Sequence, residues 1–334
     1  RRRRRSSRCC ATTEGARLVR VRPDVDAGIR RIRAGKGFRY TDAAGAAIGR
    51  RDLARIRTIV IPPAWQDVWI CADPQGHIQV VGTDDAGRRQ YIYHPDWTRS
   101  RDKGKYARAL QLAESLPRAR SRATASLRRS DLDRERVLAA AFRLLDRSAL
   151  RIGSQRYLLQ HGSRGLTTLR RRDASVADAV VSLAFSGKSG QRQALEIPDP
   201  DLATAIMLLI EGRPSSPLLA WQRQRRRVPL TPNDVNAYVR ALTGGPFTAK
   251  DFRTLRGTVV AADALARMGI AETARAVHQA EVEAVRAAAT ALGNTPAVAR
   301  SSYIDPRVFE RYRSGMLLDT TVSPESAIRS LVLG

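Results

Sequence analysis

The spacing of apolar positions changes period once along the chain. From about residue 37 to residue 100 it is short and strand-like. "GFRYTDAAGAAI" places aromatic and β-branched residues around an Ala-Ala-Gly turn. "VWICADPQGHIQVVGTDDAGRRQYIYH" reads as strands broken at Asp73-Pro74-Gln75-Gly76 and at Asp84-Asp85-Ala86-Gly87. Between them "LARIRTIVIPPAW" predicts a short helix running into a strand and stopped by Pro62-Pro63.

From Lys105 onward the period becomes helical. In "DLDRERVLAAAFRLLDRSALRIG" the residues Val137, Leu138, Ala141, Leu144, Leu145 and Ser148 share one face. "TPNDVNAYVRALTGG" predicts a helix with Thr231 as cap, Pro232 in its first turn and a stop at Gly244. "TAKDFRTLRGTVVAADALARMG" has Asp251 three residues after Thr248, a variant capping box. One β element interrupts the helices: "ADAVVSLAFSGKSGQRQALEI", two strands joined by a Gly-Lys-Ser-Gly turn that puts Lys188 at a hairpin tip. The fold class is therefore α+β, with three expected parts. They are a flexible basic tail over residues 1–18, a β-rich domain over 19–100 and a helical domain over 101–334, the last two divided by the polar linker "TRSRDKGKY".

Charge changes the picture more than length does. In 334 residues, 59 Lys and Arg face 32 Asp and Glu, a net +27. Self-repulsion on that scale is best relieved by a polyanion, and the basic residues occur in nearly every segment. The opening "RRRRRSSRCC" reads as a solvated charge run, with a specific DNA arm as the alternative. Arg1 in place of a start methionine reads as a processed or trimmed end, and no apolar stretch follows to suggest secretion. No apolar run is long enough to span a bilayer, so no membrane partner is expected. Cys9, Cys10 and Cys71 make neither a disulfide framework nor a zinc site, which fits a cytoplasmic protein.

Familiar catalytic motifs are missing. Gly187-Lys188-Ser189 ends like a nucleotide-binding loop, but the required first glycine is Ser182 and lies in a predicted strand. His77, His94, His161 and His278 show no metal-ligand spacing. Phosphate chemistry here would have to lean on side-chain cations, and arginine's charged fork suits that role.

Several stretches in order carry a specific likeness. "RIGSQRYLLQHGSRGLTTLR", "FSGKSG", "FTAKDFRTLRGT" and "GNTPAVARSSYIDP", with "IPPAWQDVWI" and "GHIQVVGTDDAGRRQYIYHPDW" before them, resemble type IB DNA topoisomerases of the small bacterial and poxvirus-type branch. The likeness spans roughly residues 30 to 315. It implies relaxation of supercoiled double-stranded DNA through a 3′-phosphotyrosyl intermediate, by a monomer associated with the bacterial nucleoid that uses neither a nucleotide nor a metal cofactor. It implies Tyr303 as nucleophile, Arg151 and Arg253 as clamps on the non-bridging oxygens and Lys188 as general acid. Asn294 stands where many members carry histidine; it can donate a hydrogen bond to phosphate but cannot titrate.

In the β-rich domain Gln90, Tyr91 and Tyr93 match the family's DNA-contacting segment. Alternation puts the two tyrosines on one strand face, where packing on the core is the competing role. Two basic domains suggest a clamp around duplex DNA. Leu255 and "RIGSQRY" depart from the commoner pattern, and "SPLLAWQRQRRRVPL" is unusually basic. Two other readings share parts of this set. A tyrosine recombinase uses similar residues but ordinarily lacks the β-rich domain, and a non-catalytic basic DNA-binding protein explains the charge but not the motifs.

Overall fold

The computed structural model describes residues 18–85 and 87–334. Nearly all of the expected basic tail, with Cys9 and Cys10, lies outside the described residues. The chain divides after Lys103 into two compact units.

The first unit is an antiparallel sheet with one helix. Its strands are β1 (Gly28–Ala34), β2 (Gly37–Thr41), β3 (Gln66–Cys71), β4 (Ile78–Thr83) and β5 (Arg89–Tyr93), in the order β2-β1-β3-β4-β5, and α1 (Arg50–Thr58) lies between β2 and β3 in sequence. Period-two alternation sorts β3 cleanly. Val68 and Ile70 join Ile29, Val80 and Ile56 of α1 in one cluster, while Trp69 and Cys71 join Ile78 and Val81 in the other. Both breaks in the β pattern, before β4 and before β5, fall where the turn residues stand. The strand expected at residues 59–61 does not form. Those residues follow α1 as an irregular segment leading into Pro62-Pro63, whose rings withhold ladder donors. β1 was illegible because "GIRRIRA" spends three of seven positions on arginine.

The second unit is helical with two small β elements. It contains α2 (Pro95–Leu127, which begins before the division), α3 (Arg134–Ser148), α4 (Gln155–His161), β6 (Ala174–Ala177), β7 (Val180–Ser186), β8 (Arg192–Pro198) and α5 (Pro200–Ile210). After them come β9 (Ala220–Arg223), β10 (Arg226–Pro229), α6 (Pro232–Thr243), α7 (Ala249–Met268) and α8 (Ala274–Leu292). The chain closes with α9 (Pro296–Ser302), α10 (Arg307–Arg313) and α11 (Pro324–Leu333). The stretch 98–106, expected as a polar linker, is helix within α2. Its Lys, Arg and Tyr residues tolerate a helix, and a single Gly104 costs only about 1 kcal/mol against alanine.

α3 is the centre of this unit. Every residue from Arg136 to Leu145 is buried, so the single apolar face expected from its period is too narrow a description. Two of its four arginines are buried, and each is paired. Arg143 pairs with Asp199 at 2.6 Å, and Arg136 Nε donates to the carbonyl of Leu127 at 2.9 Å. The hairpin of β7 and β8 pairs from Val180↔Pro198 to Ser186↔Arg192 and gains β6 as a third strand. β9 and β10 form a second hairpin that the arginine-rich "QRQRRR" concealed. α6 starts at Thr231 and stops at Gly244, whose φ of 74° suits a residue without Cβ.

Candidate active site

Four of the five expected catalytic residues sit at element ends, where backbone groups and side chains are free to face outward. α3 stops at Ala149, held in the left-handed region at φ 50°, and the chain turns there to present Arg151. Arg253 lies one turn into α7, whose start is fixed when Asp251 accepts from the Thr248 N–H at 2.8 Å. Asn294 follows Gly293, the left-handed cap of α8. Tyr303 is the cap residue that ends α9. Lys188 stands exposed in the turn between β7 and β8.

These ends are tied to one another. Arg253 is 5% exposed; its Nη1 donates to the carbonyl of Ala149 at 2.7 Å and its Nη2 to that of Leu292 at 2.9 Å. One side chain thus joins the end of α3 to the end of α8. Arg151 donates to the carbonyl of Gly293 at 3.2 Å and to Oδ1 of Asn294. With Oδ1 taken by an obligate donor, the amide of Asn294 faces the other way, and its Nδ2 is buried without a hydrogen-bond partner among the described residues. Gly187 and Lys188 line one recess together with Arg151, Arg164 and Arg253. A second cavity of about 290 Å³ also has Arg151 and Lys188 in its wall, beside Arg164 and Tyr157.

The half-buried Tyr303 is linked to this group through Arg253. The guanidinium carbon of Arg253 lies 4.9 Å from its ring centroid. Burial pushes the phenol pKa up, but the charge and contact of Arg253, helped by Arg151 and Lys250, hold it below the ordinary tyrosine value. Burial and the like charge of Arg253 lower the pKa of Arg151, an effect the nearby Tyr303 opposes. The backbone of Tyr303 is anchored to α7. Thr258 Oγ1 accepts from the Asp305 N–H at 3.1 Å, and its proton is shared between the Thr254 carbonyl at 2.8 Å and the Tyr303 carbonyl at 3.2 Å.

Two contributors escaped the sequence reading. Lys250 stands three residues before Arg253, one helical turn away, and adds positive charge at the phenol. That i, i+3 spacing was available as a signal. Thr258 was not, since its role depends on α7 and the segment after α9 meeting in space.

In the first unit the rings of Tyr91 and Tyr93 stack at 6.1 Å, so the two do share a face. They differ in surroundings. Tyr93 packs against the Trp69–Cys71–Ile78–Val81 cluster, whereas Tyr91 is 41% exposed with Arg89 over its ring at 5.7 Å. Gln90 Nε2 donates to Asp84 at 2.8 Å.

A recess walled by Arg151, Arg253 and Lys188, with Asn294 hydrogen-bonded to Arg151 and the phenol of Tyr303 beside Arg253, sits in a helical unit preceded in the chain by a five-stranded sheet. The chain belongs to the type IB DNA topoisomerase family: residues 94–317 match the model of the eukaryotic DNA topoisomerase I catalytic core, and residues 37–84 match that of the bacterial DNA topoisomerase IB N-terminal domain. It is also similar to DNA topoisomerase 1B of Acanthamoeba polyphaga mimivirus, with 28% identity over 295 residues that cover 86% of this chain and 88% of that relative. No helix among the described residues is long and apolar enough to cross a membrane.

Proposed function

We propose that this topoisomerase relaxes supercoiled duplex DNA by nicking one strand through a covalent link from Tyr303 to the 3′ phosphate, then resealing it. The Tyr303 phenolic oxygen attacks phosphorus as its proton leaves to solvent. The P–O5′ bond breaks, and Lys188 supplies the proton that the departing 5′ oxygen needs. Arg151 and Arg253 hold the non-bridging oxygens, where negative charge grows, and Asn294 Nδ2 adds a hydrogen bond. Because a phosphodiester is exchanged for a phosphodiester, the 5′-hydroxyl can attack back after the DNA has turned.

The observation that carries this reading is the convergence of Arg253 on Tyr303, with the guanidinium 4.9 Å from the ring and the phenol lowered in pKa. Lowering matters because a phenolate is the better nucleophile. All five residues belong to one unit of one chain, which supports a monomer acting without a partner's side chains. Neither a nucleotide nor a metal cofactor enters the scheme. The exposed Tyr91, beneath Arg89, is offered as a DNA contact with Gln90 and Tyr93 beside it. The net +27 supports a working location on the bacterial nucleoid.

The test is incubation with negatively supercoiled plasmid in EDTA without ATP. Complete relaxation in steps of one linking number supports the scheme. DNA binding without relaxation would leave only a non-catalytic DNA-binding role, and recombinant products that require paired sites would mark a recombinase.

A further inference from the structure

We infer that Glu281 is a positioning residue for the nucleophile: its buried carboxylate, on α8, holds Arg300 and Arg313, which flank Tyr303 in the chain, and so fixes where the phenol stands. This rests on the reading of Tyr303 as the attacking group. The side chain of Glu281 is 4% exposed. Arg300 of α9 donates to its Oε2 at 3.3 Å, and Arg313 of α10 lies 2.6 Å from its Oε1 as an ion pair without hydrogen-bond geometry. Arg300 comes three residues before Tyr303 and Arg313 ten after it. Both sides of the segment are therefore fastened to one point on α8.

α9 packs along α8 but adds little to the core. It has seven residues, of which only Ala299 is buried, too short for a helix to stand by its own hydrogen bonds. Further ties in this segment include the Asp305 N–H donating to Thr258, Arg253 against the Tyr303 ring, and the Arg300 guanidinium 4.7 Å from the Phe309 ring centroid. Glu281 also neutralises one of two cations that would otherwise face each other. Replacing its carboxylate by an amide would leave Arg300 and Arg313 in repulsion, and the segment between them would shift. A displacement of about 1 Å at a reacting group can cost on the order of a hundredfold in rate.

The experiment uses the full chain and a duplex carrying a single cleavage site. Glu281→Gln is expected to slow single-turnover cleavage by roughly a hundredfold. DNA affinity, measured in the Tyr303→Phe background, should stay within about twofold, since α8 carries none of the proposed phosphate contacts. A 5′-bridging phosphorothiolate, whose sulfur leaves without a proton, should not repair the deficit, because the defect lies with the attacking group. Arg300→Gln should be slowed alike, and the double variant no further than either single one. A folded Glu281→Gln that cleaves at the parent rate, a deficit that the phosphorothiolate erases, or additive losses would overturn the assignment. If Glu281→Gln does not fold, the half-exposed Arg300→Gln carries the same test. A covalent adduct surviving in Tyr303→Phe would instead overturn the reading of the nucleophile itself.

Discussion

The guanidinium of Arg253 rests 4.9 Å from the ring centroid of Tyr303, while its two terminal nitrogens hold the carbonyls of Ala149 and Leu292. One cation thus positions the chain ends that carry Arg151 and Asn294 and also acts on the phenol. Arg253→Lys keeps a charge but cannot span both carbonyls with a planar fork. Its single-turnover cleavage should fall by about 10² to 10³. The pH midpoint of the remaining cleavage should move upward in Arg253→Ala. Arg253 lowers the phenol pKa, so its removal leaves burial, which raises that pKa, less opposed. A cleavage–pH profile on a synthetic duplex checks both.

Tyr303→Phe should bind DNA as the parent does and form no covalent adduct. Denaturing gels of protein mixed with a labelled duplex report the adduct, and a mobility shift reports the binding.

Lys188→Ala should cut cleavage by about 10² to 10⁴, the usual contribution of a general acid. Replacing the 5′ bridging oxygen by sulfur should restore most of the loss, because the thiolate leaves unaided. Rapid-quench kinetics on the two substrates make the comparison.

At Gly257 an added methyl group would stand 2.7 Å from the Tyr303 carbonyl oxygen and 3.0 Å from Leu292 Cδ1. Backbone cannot yield as a flexible side-chain tip can. Gly257→Ala should push α7 from the nucleophile segment and slow cleavage by about a hundredfold, more than its loss of thermal stability would suggest. Cleavage rate and Tm measured on the same preparation separate the two effects.

Asp199 is 3% exposed; it pairs with the buried Arg143 at 2.6 Å and caps α5 by accepting from the Leu202 N–H at 3.0 Å. Asp199→Asn leaves a buried cation uncompensated and should cost about 3 to 5 kcal/mol. Urea unfolding followed by circular dichroism reports that loss.

Much of the architecture is legible in neighbouring residues. Capping signals marked α6 and α7, since Thr231, Pro232, Gly244 and the Thr248–Asp251 pair act within a single turn. The hairpin carrying Lys188 was equally local. Where arginine replaced apolar residues, in β1 and in the β9–β10 hairpin, alternation carried too little contrast to read. Residues 98–106 looked like a linker because polarity alone does not separate a solvated helix from a loop.

By itself, the sequence determined the α+β division, the excess of positive charge and the candidate set Tyr303, Arg151, Arg253, Lys188 and Asn294, because motifs and turn chemistry are written in short windows of the chain. Only the tertiary structure decided that Arg253 ties the ends of α3 and α8 together, that Thr258 anchors the backbone just after Tyr303 and that Glu281 gathers two arginines around it. Those relationships join residues 19 to 104 positions apart in the chain. Such contacts depend on how helices pack, and packing is a property of the whole core that no short window of residues contains.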